Sequence, residues 1–375
     1  MTVQLSAAKC RLCMKTMLCL LIAAATTGLQ LKSSAAPVQL ENSGEHFRGM
    51  ADASAGVMLG TNFLAVGNDE DNQIRIYRLD SPGMPVRSVD CSGFLRVFGK
   101  NLESDLEGAA WLEDRIFWIG SHGENRNGRS APNRRRLFAT LVTTNTGVPS
   151  VQPIDHPYEN LLADLALDAR YHEFGLERAA LLPPKSPGGL NIEGLCATPD
   201  GQLMIGFRNP IPGGKALIVT LSNPGAVVRG ASGRFGSPIL LELDGNGIRD
   251  MGHWRGKYYL LAGSFDPQKH FQLYDWAGPG CKPERLSNVE FKHSNPEALV
   301  FNEDLNRFLV LSDDGTHKVG GVESKNLPDP TQRKFRALWL ALPAQQADNL
   351  RRDTLPSVEQ GLPHLVLGQK LAAGQ

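Results

Sequence analysis

The sequence is short of cysteine, of surplus positive charge and of long apolar runs, and each shortage removes a class of answer. Six cysteines occur in 375 residues, and three of them, Cys10, Cys13 and Cys19, fall in the first 36. That stretch places Lys9, Arg11 and Lys15 ahead of the apolar run Met17 to Ala25 and ends in the small residues Ser33 to Ala36, the pattern of a cleaved signal peptide. The apolar run is far below the roughly 20 residues that span a bilayer, so a cleaved leader is expected rather than an anchor. Residues 1–36 are read as the signal peptide, which makes the mature chain periplasmic or secreted and limits membrane contact to export. Cys91, Cys196 and Cys281 then remain, enough for one disulfide at most and too few for a disulfide-stapled scaffold. The leader removes four basic residues and no acidic one, leaving 35 basic against 39 acidic residues, a net charge of −4. Nucleic acid is excluded as a partner, because binding a phosphate backbone relies on a surplus of Lys and Arg.

Familiar catalytic signatures are missing as well. There is no GxSxG elbow, HExxH helix, P-loop or GxGxxG, and nine histidines are scattered without ligand spacing. LDGNGIRD around Asp244 lacks the offsets of an EF-hand loop and reads as a turn.

What the chain does have is a repeat. Glu107 precedes Gly120 by thirteen residues, and the same count separates Ser54 from Gly67, Glu193 from Gly206 and Asp250 from Gly263. Aligned this way, Trp111 coincides with Trp254 and Ser121 with Ser264. A fifth copy brings Glu297 and Ser312 into frame with one inserted residue. Each copy continues into a polar loop and a third β-rich run: QIRIYRL, RRLFATLV, ALIVTLS, FQLYDW and RALWLAL. Fourth runs follow four of them, in VRSVDCSGFL, VQPIDHP, PILLELDG and PERLSNVEF. Short β-branched and aromatic runs punctuated by Gly, Pro, Asn and Asp read as antiparallel strands. Four strands repeated every few tens of residues make a propeller blade. The expected fold is an all-β, five-bladed β-propeller over residues 37–345, six blades being the alternative. The long interval between copies two and three contains residues 158–182, whose apolar residues recur at helical spacing and read as a helical insertion. Ring closure falls either to Val38 to Ser43 or to His364 to Gln369 in the C-terminal tail, residues 346–375.

First strands line a propeller's channel, so Ser54, Glu107, Glu193, Asp250 and Glu297 form one expected ring. Uncompensated carboxylates at such closeness repel and gain proton affinity unless a cation, a basic residue or water takes up the charge. Oxygen-only ligands suit Ca²⁺ better than Zn²⁺, which makes Glu107, Glu193, Asp250 and Glu297 the candidate metal ligands. The alternative is structural: a carboxylate ahead of Gly, as in DLEG and NIEG, accepts backbone N–H groups and fixes the start of the strand. Asp105, Asn191 and Asn295, two residues earlier in their copies, fit that turn-fixing use. Loops after the second strands converge on one mouth and offer His122, Arg208 and Asp313 as catalytic candidates, His122 as acid or base and Arg208 as anion holder. Arg126, Arg129, Arg134, Arg135 and Arg136 follow closely; strand alternation would put Arg134 and Arg136 on one face and Arg135 on the other.

The stretches DLEGAAWLEDRIFWIGSHGENRNGRSAPNRRRLFAT, NIEGLCATPDGQLMIGFRNPIPGGKALIVTL and NPEALVF with LSDDG resemble a bacterial exported family that carries domain of unknown function 3616, over about residues 45 to 345. More remotely, DLEG and SDDG are similar to the esterase-like phytase propellers, a resemblance that implies Ca²⁺ and phosphoesters. Expected, then, is an exported monomer that binds or hydrolyses a small anionic ester at a cation-assisted channel mouth. The rival expectation is a non-catalytic module for a glycan, peptide or protein.

Overall fold

The second strand of every unit is apolar on both faces: FLAVG (Phe63–Gly67), RIFWIG (Arg115–Gly120), LMIGFRN (Leu203–Asn209), KYYLLAG (Lys257–Gly263) and RFLVLS (Arg307–Ser312). A strand without a polar side has to be covered from above and below. A computed structural model of the chain describes residues 40–99, 102–145, 147–265, 270–302, 304–305 and 307–341 and shows how this is done. Five four-stranded antiparallel sheets form, the first four from consecutive strands. Their first strands, Ala55–Leu59, Leu106–Leu112, Asn191–Ala197, Gly247–Trp254 and Pro296–Val300, each touch the next, and the last touches the first. The protein is a five-bladed β-propeller.

Five buried apolar clusters fill the five gaps between blades. Ala65, Ile74 and Ile76 of blade one meet Leu106, Trp118 and Phe138 of blade two, whereas Leu64, Val66 and Tyr77 of the same blade one turn to Ala298, Val300 and Leu311 of blade five. Successive residues of one strand thus belong to different clusters, as the two-residue period of a strand requires. Blades three and four meet through Cys196, Ile218, Ile248 and Trp276, and blades four and five through Trp254, Tyr259, Phe308 and Val310. Glycine permits close contacts between blades: a Cβ on Gly206 would stand 2.7 Å from Ile248 Cγ2. Cys91 and Cys196 are buried free thiols, and Cys281 is an exposed one.

Residues 158–182 build no blade. Leu161–Ala166 and Leu176–Ala179 are short helices flanking a 3₁₀ segment, and Leu161, Leu165, Tyr171 and Leu176 cover the gap between blades two and three. The EF-hand-like LDGNGIRD is the turn between blades three and four, with Asp244 and Gly245 at positive φ. Among the described residues no helix is long and apolar enough to cross a membrane. The leader in residues 1–36 lies outside the described residues.

Of the two candidate closing segments, the structure uses the N-terminal one. Leu40–Arg48 forms the outer strand of blade five and pairs antiparallel with Lys334–Ala341, Phe47 standing opposite Phe335. His364 to Gln369 lies outside the described residues. The junction is aromatic: Phe47 stacks on Phe335 at 5.2 Å between centroids, and Tyr77 of blade one meets both edge-on. Phe47→Ala is expected to cost about 3–5 kcal/mol of unfolding free energy, as for other fully buried aromatics. Denaturant titration checks this, and a loss below about 1 kcal/mol would mean that the N-terminal strand does not hold the ring.

Candidate functional site

Each first strand has to pass from loop to sheet beside the axis, and four of the five do so through a β-bulge. The pairing register shifts between Leu106 and Gly108, Ile192 and Gly194, Ile248 and Asp250, and Pro296 and Ala298. The extra residues are therefore Glu107, Glu193, Arg249 and Glu297, while Ala55–Leu59 pairs without a bulge. A bulge re-aims a side chain, so it marks equivalent places by geometry. Blade four accordingly contributes Arg249, one residue ahead of the Asp250 picked by counting thirteen. That count slips because it ends on a glycine instead of starting from the hairpin turn, where Leu112 pairs with Arg115 and Trp254 with Lys257. Counted from the turn, Trp111 matches His253, and Ser121 matches Gly263. The slip changes face, as a one-residue shift must: Trp111 is exposed and Trp254 fully buried.

Arg249 reorganises the ring. Its guanidinium bonds Glu297 and stands 3.7 Å from Glu193 Oε2, while Arg208 pairs with Glu193 Oε1. Asn191 donates to Glu193 Oε1 at 2.6 Å, and Asn295 to Glu297 Oε1 at 3.1 Å. These two asparagines serve the carboxylate two residues on, whereas the sequence assigned them to their own backbone. Burial alone would lower the proton affinity of Arg249, but Glu193 and Glu297 raise it above the ordinary arginine value. Burial pushes Glu297 up to about 7 against the pull of Arg249. Asp250 leaves the ring altogether: its Oδ2 accepts the Leu299 amide at 2.6 Å, and the amides of Met251 and Leu195 also donate to it, so it staples blade four to both neighbours. That is the strand-fixing use of a carboxylate.

Glu107 is different. Among the described residues it has no ion pair, and burial together with Glu193, Asp105, Asp69 and Glu297 holds its proton affinity well above the carboxylate range. One oxygen each from Glu107, Glu193 and Glu297 lie within 4.8 Å of one another; the same holds for Asp69, Asp105 and Glu107, and for Asp52, Asp69 and Glu70. Asp105 pairs with Arg134 at 2.8 Å yet is raised by burial to about 6. Asp52 is raised to about 8 by burial and by the charge of Asp313, with which it shares a hydrogen bond. Asp69, Asp105 and Arg249 complete a cluster that the ring of five did not contain; Asp69 and Asp105 were visible as acidic residues of the right loops, and only the bulge identifies Arg249.

These residues border a cleft of about 430 Å³ at one end of the axis, lined from all five blades. Arg208 and Asp313 line it, as do Glu107, Glu193 and Glu297. Asp313 accepts Asn295 at 2.9 Å and the Gly315 amide at 2.7 Å. His122 is not among its lining residues: the ring is fully buried, Nδ1 donates to Gly120 O at 2.8 Å, and burial lowers its pKa to about 4. The arginine run diverges. Arg134 closes a 3₁₀ turn, Pro132–Arg134, and reaches Glu103 and Asp105, whereas Arg136 is buried against the carbonyls of Leu95 and Pro132. Alternation fails there because the strand begins only at Leu137. Arg135 pairs with Glu124 at 3.1 Å.

Two outcomes follow from this charge arrangement. Arg249→Met leaves Glu193 and Glu297 buried without their shared cation, and such a loss is expected to cost about 3–5 kcal/mol in denaturant titration at neutral pH; a cost near zero would mean that Arg249 is not the counter-ion. Secondly, Asp52, Glu297 and Asp105, raised to about 8, 7 and 6, bind more protons folded than unfolded above the ordinary carboxylate value of about 4. Their contribution to stability is complete below about pH 4 and is lost as pH rises through about 6 to 8. In metal-free buffer the unfolding free energy should therefore fall between about pH 5 and 8.5, and a rise over that interval would contradict the assignment.

Several solved structures are distantly similar to the chain. Similar solved structures include glutaminyl cyclase of Myxococcus xanthus, 10% identical over 82% of this chain and 99% of that one, with a TM-score of 0.41. A putative oxidoreductase (glucose dehydrogenase) of Thermus thermophilus is 15% identical over 81% of this chain and 99% of its own, TM-score 0.40. The aldose sugar dehydrogenase of Streptomyces coelicolor is 10% identical over 79% and 95%, TM-score 0.40. Likenesses this distant carry no chemistry across. No curated protein matches the sequence. The family profile described as "Protein of unknown function (DUF3616)" matches residues 52–146 and 151–304, a span that includes the carboxylates from Asp52 to Glu297 and both Arg208 and Arg249. The chain belongs to the DUF3616 family.

Proposed function

We propose that the cleft holds a hard divalent cation of the calcium type and, beside it, a small anionic ester of phosphate type, which it hydrolyses. The observation that supports this reading is Glu107, a carboxylate among four others with no basic partner among the described residues. Calcium takes oxygen ligands at about 2.3–2.6 Å, so two ligands of one ion lie at most about 5 Å apart. The oxygens of Asp69, Asp105 and Glu107, within 4.8 Å of one another, meet that limit. Glu193 offers Oε2, a buried oxygen with no hydrogen-bond partner. Arg208 and Arg249 largely neutralise Glu193 and Glu297, and Arg134 pairs with Asp105, which leaves Asp69 and Glu107 as the main carriers of negative charge towards the ion.

A cation bound there supplies Lewis acidity towards an ester oxygen and acidifies a bound water. Arg208, on the cleft wall, orients the ester's remaining oxygens through its guanidinium. Asp52, raised to about 8, keeps its proton at neutral pH and shares a hydrogen bond with Asp313. Asp313 lines the cleft, so this proton would pass through it to the leaving oxygen as water adds at phosphorus and the ester P–O bond breaks, and the proton released by that water would return to the carboxylates left behind. His122, sealed from the cleft, has no part in the step. Export, which the leader implies, brings the cleft to surroundings where calcium sites of about 10⁻⁴–10⁻³ M are useful.

A non-catalytic binding module is the second reading, favoured by the internal pairing of Arg134, Arg208 and Arg249 with carboxylates of the same cleft. Calorimetric titration with calcium at pH 8 is expected to give one site with a Kd between about 10⁻⁶ and 10⁻³ M, weakened at least about tenfold by Glu107→Gln. No heat at millimolar calcium would remove the cation. Calcium binding together with inactivity on a panel of phosphoesters would leave the binding module.

A further inference from the structure

When the ion pairs inside the cleft are set aside, its charges do not cancel. Arg134 engages Asp105, Arg208 engages Glu193, and Arg249 engages Glu297. The lining residues left over are three acidic ones, Asp69, Glu107 and Asp313, and two basic ones, Arg126 and Lys185. Among the described residues neither Arg126 nor Lys185 has a carboxylate within ion-pair distance. A free carboxylate group and a free cationic group on one small cleft would pair if the backbone let them meet.

The backbone keeps the two cations where they are. Arg126 occupies a turn in which the Gly128 amide donates to Asn125 O at 2.8 Å, and Asn125 Oδ1 accepts the amides of Asn127 at 2.9 Å and Arg129 at 3.0 Å. Lys185 lies in a loop clamped by Asn209, whose buried side-chain amide donates to Pro184 O at 3.0 Å and Ser186 O at 2.7 Å. The two loops abut: a Cβ built on Gly128 would fall 3.1 Å from Pro183 Cγ. They form one basic lip, held by its own hydrogen bonds without any acidic partner. Asn209 directly follows Arg208, which is 6% exposed and whose buried Nε–H has no acceptor. A backbone held in this way carries two cationic side chains to the cleft, so an anion can meet them without rearrangement of the loops.

We infer that the ligand carries a second acidic group, remote from the one at the cation, and that Arg126 and Lys185 grip it. This rests on the cation reading above and narrows its substrate class to phosphoesters bearing a further carboxylate or phosphate. The lip selects among esters, and the carboxylates of the cleft bind the ion.

The test compares two probes that differ only in the second charge, phosphoglycolate and ethyl phosphate. Their affinities are measured by calorimetry, with saturating calcium and without calcium, on the wild type, on the doubly substituted Arg126→Ala, Lys185→Ala protein and on Glu107→Gln. Both lip residues are exposed, so their removal leaves the fold in place. Expected is a preference of the wild type for phosphoglycolate of about tenfold or more, abolished by the lip substitutions while ethyl phosphate binding is unchanged. Equal affinities in the wild type would overturn the lip alone, with calcium dependence intact. A preference that survives without calcium and in Glu107→Gln, yet vanishes with the lip, would uphold the lip and sink the cation. Absence of binding by either probe would overturn both.

Discussion

One guanidinium at the centre decides what the channel can be. A propeller brings the starts of its inner strands together, and here three of those starts are glutamates; carboxylates buried so close to one another repel, and isolated buried charge is among the costliest things a fold can carry. Arg249 takes the fourth bulge and binds two of the three, with Arg208 behind it. The remaining carboxylate, Glu107, has an oxygen within 4.8 Å of Glu193 and Glu297 and also belongs to the acidic group of Asp69 and Asp105. The ring is therefore asymmetric, neutralised from blades three to five and acidic towards blades one and two. Every other property of the cleft follows from that imbalance.

The architecture was legible because repetition is a property of the chain itself. Apolar runs of fixed length, turn residues between them and a recurring carboxylate give five blades without reference to space. The helical segment between blades two and three was readable from apolar spacing at Leu161, Leu162 and Leu165. What the chain does not display is a bulge: an extra residue in a strand leaves no compositional mark, and it moved Arg249 into a place the count gave to Asp250. The turns carried the missing signal, since Arg255 and Gly256 fix where the hairpin folds back. His122 failed for another reason. Its loop lies at the proper end of the molecule, but a backbone in the left-handed region at φ 58° turns the imidazole inward to Gly120 O.

The two asparagines show how local the remaining ambiguity was. Asn191 and Asn295 stand two residues before a glutamate, a spacing that fits an asparagine bonding its own turn equally well. In the folded protein each amide reaches forward to the carboxylate instead. Asp250 does the reverse, abandoning the axis for three backbone amides. Side chains of the same chemistry, a few residues apart in a repeating frame, thus divide between holding the scaffold and shaping the cleft, and the division is settled by which faces the bulges expose.

The strand that completes blade five has a consequence for the order of assembly. Its partners Lys334–Ala341 lie almost 300 positions further along the chain than Leu40–Arg48, so the join spans nearly all the described sequence. Bringing such distant segments together carries an entropic cost that grows only slowly with length, but contacts of this range form late. Until they do, the apolar flanks of blades one and five, with Met58, Leu64, Val300 and Leu311, face water. An unclosed molecule is thus a crescent with two sticky ends, each shaped to receive the other, and at high concentration a neighbour's end is as good a fit as its own.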